Sequence, residues 1–543
     1  MNRNRLIQTW RIFPWLSLAL TMPVGCGRPP GDPSSAASNP ANSATPLLEP
    51  IAKRLGPGLY LLGNQFPSAS YVVQTPEGYV LIDTGLKGDA GPVRVQLKQL
   101  GLNERRLKAI LLTHAHGDHS GGAESLRKAT GATVYAGKEE AKPLREGQPA
   151  EAFFSTFYMP DAEIHPVAVD VELDGDQEFT VGDAHFRAIA TPGHTSGSVC
   201  YLMERNGQRI LFSGDVIMSL RGDERMSDPT LREPLGTYAA HRAPRYRGDA
   251  VRFLATLQKL KGLPAPDLVL PGHPRMDPTP QNPAMTQARW QEIMDRGIQD
   301  MQALIERNQT DGANFLDGNP KELLPGLEYL GDFQGRAVYG LFVDSRFFLF
   351  DAPGGPGLTG FVIERLKALG REAIEPTAVL LTSVDPDATA GLTDLLEHGN
   401  PQVVAPAEGI HVLQTTYPTA KQIVSLKDLP TQGWFEVEAI PMAGAGKYPV
   451  AYKLPWAGKT VVISGRMPAK PDFPSMSSLF ADLKRSADGT FWYQTTLEKL
   501  DPLKPDLWLP AFPSNSQNAN LYGEEWKGII ARNREAAKRG KYP

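Results

Sequence analysis

Leu112-Thr113-His114-Ala115-His116-Gly117-Asp118-His119-Ser120-Gly121-Gly122 packs three imidazoles and a carboxylate into six residues. Its histidines and aspartate follow Lys108 to Thr113, a short apolar run of strand character. A loop at a strand's end can turn such side chains into one cavity, alternate residues facing one metal and the next pair facing another. Three later positions have the same setting: His194 in Thr191-Pro-Gly-His, Asp215 in Phe212-Ser-Gly-Asp and His273 in Leu270-Pro-Gly-His. Each follows a predicted strand and a small or Pro/Gly residue. Neutral imidazoles and carboxylates suit zinc, and also iron or manganese. Seven candidate ligands with no cysteine exceed one closed structural site of four, so two adjacent metals bridged by a carboxylate account for the number better. Five of the ten histidines fall in these motifs. The other five (His165, His185, His241, His398 and His411) have no comparable context and read as ordinary residues.

The surrounding sequence places these motifs in a layered α/β domain. Strands are expected at Ser70 to Gln74, Tyr79 to Asp83, Ala188 to Thr191, Val199 to Met203, Arg209 to Ser213 and Leu268 to Leu270, and helices over Gly91 to Leu100 and Gly122 to Thr130. From Ala284 to Asn308, the steps Trp290, Met294, Ile298, Met301 and Ile305 define one helix face, expected to close the first domain.

The pattern His-x-His-x-Asp-His, then His, Asp and His in order, with Asp83 upstream in Leu81-Ile-Asp-Thr-Gly, resembles the metallo-β-lactamase superfamily of hydrolases. The resemblance covers the first half of the chain through His273. It implies an αββα sandwich, with His114, His116 and His194 on a first metal and Asp118, His119 and His273 on a second. Asp215 would bridge the two, and Asp83 would brace the ligand loop. Asp118 and Asp215 are the implied catalytic residues, with two zinc ions, or iron or manganese, as cofactors. The β-lactamases of this superfamily usually lack an acid at the place of Asp215. Its presence is more similar to hydroxyacylglutathione hydrolases, lactonases and related esterases. The implied activity is hydrolysis of an ester, thioester, lactone or related bond in a small-molecule substrate. Its nucleophile is a hydroxide shared by two dications, which lower the pKa of water from about 15.7 toward about 7. The alternatives are a β-lactam hydrolase, a binding or scaffold protein with a structural metal site, and an iron-dependent redox enzyme.

The chain has 543 residues, 41% hydrophobic and 21% charged, as expected for several globular cores. Lys+Arg 56 against Asp+Glu 60 gives a net charge of −4, which removes the electrostatic warrant for nucleic-acid binding. Two cysteines, Cys26 and Cys200, exclude a disulfide scaffold and a Cys-rich metal site. Residues 1–26 read as an export signal: Arg3, Arg5 and Arg11, then the apolar run Ile12 to Met22, too short to span a membrane. Gly25-Cys26 resembles the lipidated cleavage box of bacterial lipoproteins, with Pro23 where a Leu is common; an ordinary signal cut nearby is the alternative. A periplasmic or membrane-anchored protein follows, touching membrane only through a lipid on Cys26. Residues 27–50, rich in Pro, Ser, Ala and Asn, read as a disordered tether.

The second half echoes the first in order. Leu324-Pro-Gly-Leu-Glu-Tyr-Leu-Gly matches Leu55-Gly-Pro-Gly-Leu-Tyr-Leu-Leu-Gly, and Phe348-Leu-Phe-Asp351 matches Val80-Leu-Ile-Asp83. Ala378 to Thr382, Val461 to Gly465 and Pro505 to Pro510 match Lys108 to Thr113, Ile210 to Gly214 and Pro266 to Pro271. Two tandem copies are expected, 51–312 catalytic and 313–543 degenerate. In the second, Ser383, Asp385 and Ala388 replace the three histidines of the opening motif, Ala443 and Phe512 stand near the places of His194 and His273, and Arg466 stands at that of Asp215. No two-metal site is expected there, and Arg466 is expected to pair with Asp385 or Asp387. Two segments between ligand motifs are candidate substrate walls or ordinary surface: the apolar cluster Phe153, Phe154, Phe157, Tyr158 and Met159, and the arginine-rich stretch from Arg221 to Arg247.

Overall fold

A computed structural model gives the positions of residues 46–65, 68–147, 165–220, 248–274, 280–334, 336–428, 433–442, 447–465, 492–511, 513, 518–521 and 525–539. Seven strands lie in chain order in a first sheet: Ala52–Gly56, Leu59–Leu62, Ser70–Gln74, Tyr79–Ile82, Leu107–Leu111, Thr133–Gly137 and Val171–Leu173. They run antiparallel as far as Tyr79–Ile82 and parallel beyond it. The second sheet has the order Leu268–Pro271, Gln208–Gly214, Val199–Arg205, Ala184–Ala190, Gln177–Val181. Only its Gln208–Gly214 and Leu268–Pro271 pair is parallel.

Strand alternation builds the layers. Tyr71, Val73, Ala109 and Leu111 of the first sheet meet Phe186, Tyr201, Met203 and Phe212 of the second in one buried core. The intervening residues face outward. Val72, Ile110 and Leu112 pack under helices Gly91–Gln99 and Ala123–Thr130. Ile189, Cys200, Leu202 and Leu211 pack under helices Ala250–Lys261 and Gln287–Asp311. The order helix, sheet, sheet, helix is the expected αββα sandwich. The long helix begins at Gln287, not Ala284, because Thr286 caps it by accepting from Arg289 N at 3.2 Å. Its Trp290, Met294 and Met301 are buried as the periodicity requires.

Residues 321–510 contain a second pair of sheets. Seven strands from Lys321–Leu324 to Ile423–Ser425 lie in chain order, and four from Glu438–Pro441 to Leu507–Pro510 form the other sheet. Their facing sides share one core, including Tyr339, Phe348, Tyr452 and Leu509. Buried tyrosines tie sheet to strand end in both halves. Tyr71 and Tyr339 donate to Pro271 O and Pro510 O at 2.7 and 2.8 Å, and Tyr201 and Tyr452 donate to Leu112 O and Leu381 O, each at 2.8 Å. Among the described residues, no helix is long and apolar enough to cross a membrane. The leader, the Phe153 cluster, the Arg221 to Arg247 stretch, Ala443, Arg466 and Phe512 lie outside the described residues.

Candidate metal centre

The seven candidate ligands all sit at or just beyond the C-terminal ends of strands. His114 and His116 follow Leu107–Leu111, and Asp118 and His119 occupy the one-turn helix Gly117–Ser120. His194, Asp215 and His273 follow Ala184–Ala190, Gln208–Gly214 and Leu268–Pro271. Two glycines make this convergence possible. Gly214 has φ 48, and a Cβ there would lie 2.6 Å from the Thr113 side chain. A Cβ on Gly272 would collide with the Asp215 carboxylate.

All seven side chains are buried and fall into two groups, His114, His116, His194 and Asp215, and Asp118, His119 and His273. Within each group the candidate ligand atoms lie within 4.8 Å of one another. His116 Nδ1 stands 3.0 Å from His114 Nε2 and 3.1 Å from His194 Nε2. His119 Nε2 is 3.2 Å from His273 Nε2. The Asp215 carboxylate lies between the groups. Its Oδ2 is 3.4 Å from His194 Nε2 and 3.1 Å from His273 Nε2, and its Oδ1 is 3.1 Å from His119 Nε2. Asp118 Oδ2 is 3.4 Å from His273 Nε2.

Outer hydrogen bonds fix which ring nitrogens face inward. Asp83, held at φ 56, accepts from Thr113 N at 2.8 Å, from Thr113 Oγ1 at 2.9 Å and from His119 Nδ1 at 2.8 Å. The Thr113 hydroxyl is thereby committed as a donor and accepts from His114 Nδ1 at 3.0 Å. His114 and His119 therefore both turn an Nε2 lone pair toward the cluster. Lone pairs facing one another at these distances need a shared proton or a cation between them. Ligands about 2.0–2.1 Å from a tetrahedral metal stand about 3.3 Å apart, close to the spacing of these nitrogens. Asp118 Oδ1 and His194 Nδ1 are buried without a hydrogen-bond partner. An all-N/O donor set of this kind fits zinc, iron or manganese.

The electrostatics run in two directions. Burial, with neighbouring imidazoles, pushes His114 well below its usual range, and burial pushes His194 down to about 4. At His119 burial also lowers the pKa, but the carboxylates of Asp215, Asp118 and Asp83 outweigh it and raise the group. Burial would raise Asp215, yet His119 and His273 hold it well below the carboxylate range, while burial lifts Asp118. Metal ligation requires neutral imidazoles, the form favoured at His114 and His194.

One supporting residue was not singled out from the sequence. Glu140, fully buried in helix Lys138–Glu146, accepts from Ala115 N at 2.8 Å and from Gly197 N at 2.7 Å. It thus ties the loop of His114 and His116 to that of His194. The signal available was its place four residues before Leu144, on the buried face of the helix. Cys200 points away from the cluster, packed under the helices of the second sheet, and burial pushes its thiol up to about 12.

A profile described as Metallo-beta-lactamase superfamily matches residues 63–273, a span that includes all seven side chains. A hydroxyacylglutathione hydrolase of Albidiferax ferrireducens is 37% identical over 133 residues, 24% of this chain and 42% of that protein. A probable metallo-hydrolase of Bacillus subtilis is 29% identical over 211 residues, 36% of this chain and 76% of that protein. The match therefore spans less than half the length of the hydroxyacylglutathione hydrolase. Among solved structures, a subclass B3 metallo-beta-lactamase of Bradyrhizobium japonicum covers 49% of this chain and 97% of its own, with 23% identity and a TM-score of 0.36.

Proposed function

Residues 63–273 belong to the metallo-beta-lactamase superfamily, and from that premise we propose that the chain is an exported dinuclear metal-dependent hydrolase of ester, thioester, lactone or related bonds in small molecules. The observation that carries this reading is the convergence of seven buried N/O donors into two groups with one carboxylate between them. Bound there, a pair of dications, zinc in the first instance, would supply Lewis acidity toward the attacked carbonyl and would acidify water toward neutrality. His114, His116 and His194 would hold one and Asp118, His119 and His273 the other, with Asp215 serving both. The chain's own contribution is placement. Asp83 and Thr113 fix the His114 and His119 tautomers, and Asp118 Oδ1, free of hydrogen bonds, can orient the attacking water. Similarity to a hydroxyacylglutathione hydrolase, over 42% of that protein's length, favours a thioester among the candidate bonds.

In the same reading, residues 1–26 direct export, Cys26 carries a lipid and residues 27–50 form a tether. Residues 51–312 are the catalytic copy, and 313–543 are a second copy without the ligand set. Support for the second copy comes from the ordered sequence echoes, the matched tyrosine bonds and the matched aspartates. Asp351, at φ 63, accepts from Thr382 N at 2.6 Å and Thr382 Oγ1 at 2.7 Å, as Asp83 does from Thr113.

The test is a panel of thioesters, lactones, esters, lactams, phosphoesters and sulfate esters, assayed before and after chelation and after adding metal back. Hydrolysis of at least one carboxylic thioester, ester or lactone should fall at least about 100-fold on chelation and return with zinc, iron or manganese. Turnover untouched by complete metal removal would sink the hydrolase reading. A metal-bound protein inert on the whole panel would favour a structural metal.

A further inference from the structure

We propose that the Arg336 guanidinium is a built-in cation that organises the carboxylate cluster of residues 313–543, so that this half keeps its shape without metal. This goes beyond the hydrolase reading and concerns a different cluster. Arg336 opens strand Arg336–Val343 and is among the largest fully buried side chains of the described residues. It donates to Asp387 Oδ2, to Asp351 Oδ2 and, at 3.1 Å, to Thr382 Oγ1. Asp385 lies close enough to add to the field on the guanidinium, and its Oδ2 accepts from Lys447 N at 2.7 Å.

Backbone bonds relate this cluster to the first half. Ala337 N donates to Ala511 O and Ala69 N to Gly272 O, each at 2.9 Å. The residues just before these donors are Arg336 and Ser68, so the arginine stands at the serine's place. Asp351 corresponds to Asp83 through their shared bonds to Thr382 and Thr113. One bond differs. In the first half the Oδ2 of Asp83 also takes His119 Nδ1 at 2.8 Å. In the second half Ala388 holds the histidine's place, and the guanidinium supplies the bond to Asp351 Oδ2. The same guanidinium reaches Asp387, the counterpart of Asp118. A charge that metal would balance in one half is balanced by a side chain in the other. A buried carboxylate is costly unless paired, so Asp351 depends on its arginine.

The arginine expected in this role was Arg466, which lies outside the described residues. Arg336 stands 15 residues before Asp351 and 51 before Asp387, outside every echoed motif, so no local pattern marks it.

The experiment is hydrogen–deuterium exchange of the full chain, read on peptides covering 107–120 and 378–389. Chelation should speed exchange in the first peptide of the wild type and leave the second unchanged. Arg336→Ser should speed the second at least tenfold with the first unchanged, and Arg336→Lys, which keeps the charge but loses the fork, should fall between. If Arg336→Ser does not fold, Arg336→Met/Asp351→Asn, which removes the guanidinium together with the charge of its more buried carboxylate, should fold. Wild-type exchange over 378–389 in Arg336→Ser, equal opening of both peptides by chelator, or a double variant no better than the single one would each overturn the proposal.

Discussion

Asp215→Ala should lower kcat/KM on the best substrate of the panel by about 1,000-fold or more, about 4 kcal/mol of transition-state stabilisation. The reason is position. One carboxylate lies within 3.4 Å of His194, His119 and His273 nitrogens, so it is the only one of the seven side chains proposed to serve both metals. Its removal also leaves His119 and His273, both raised by Asp215, without a carboxylate 3.1 Å from each Nε2. The fold should survive, because the core tyrosines and the Asp83 network do not involve Asp215. Steady-state kinetics, metal content and circular dichroism check the three parts together. Wild-type kcat/KM in Asp215→Ala would remove Asp215 from the mechanism.

Glu140→Ala should be costly in two measurements at once. It strands the N–H groups of Ala115 and Gly197, which lose charge-assisted bonds in a buried and a part-buried setting. At about 1–3 kcal/mol per orphaned group, the loss is about 2–6 kcal/mol, or about 10 °C in the thermal midpoint. Because those groups lie in the two loops that bring His114, His116 and His194 together, metal affinity should also fall about 10- to 100-fold. Glu140→Gln keeps one acceptor oxygen and should lose less on both scales. A Glu140→Ala protein that melts and binds metal like the wild type would make the tie irrelevant.

These two residues mark what could be read in the sequence. Asp215 was legible because it ends an apolar strand with Ser-Gly before it, a local pattern. The motif residues His114 to His119, His194 and His273 were legible for the same reason, and so were the strand periodicities that bury Tyr71, Val73, Tyr201 and Met203. Glu140 was not, since one acid in a Lys-Glu-Glu helix start looks solvated until the loops it joins are brought beneath it. Its function lies in contacts across 25 and 57 residues, which no local pattern encodes. Arg336 is the same case, because its carboxylates come from two other loops. Helix boundaries were legible only to a few residues. The Thr286 cap, not the apolar face, sets the start of the long helix.

Elemental analysis of the purified chain tests the central claim most directly, measured on the wild type and on His114→Ala/His273→Ala, which removes a ligand from each group. The account predicts about two equivalents of zinc, iron or manganese per wild-type chain and less than about 0.2 in the double variant. Equal metal in the two proteins would place the ions elsewhere and contradict it.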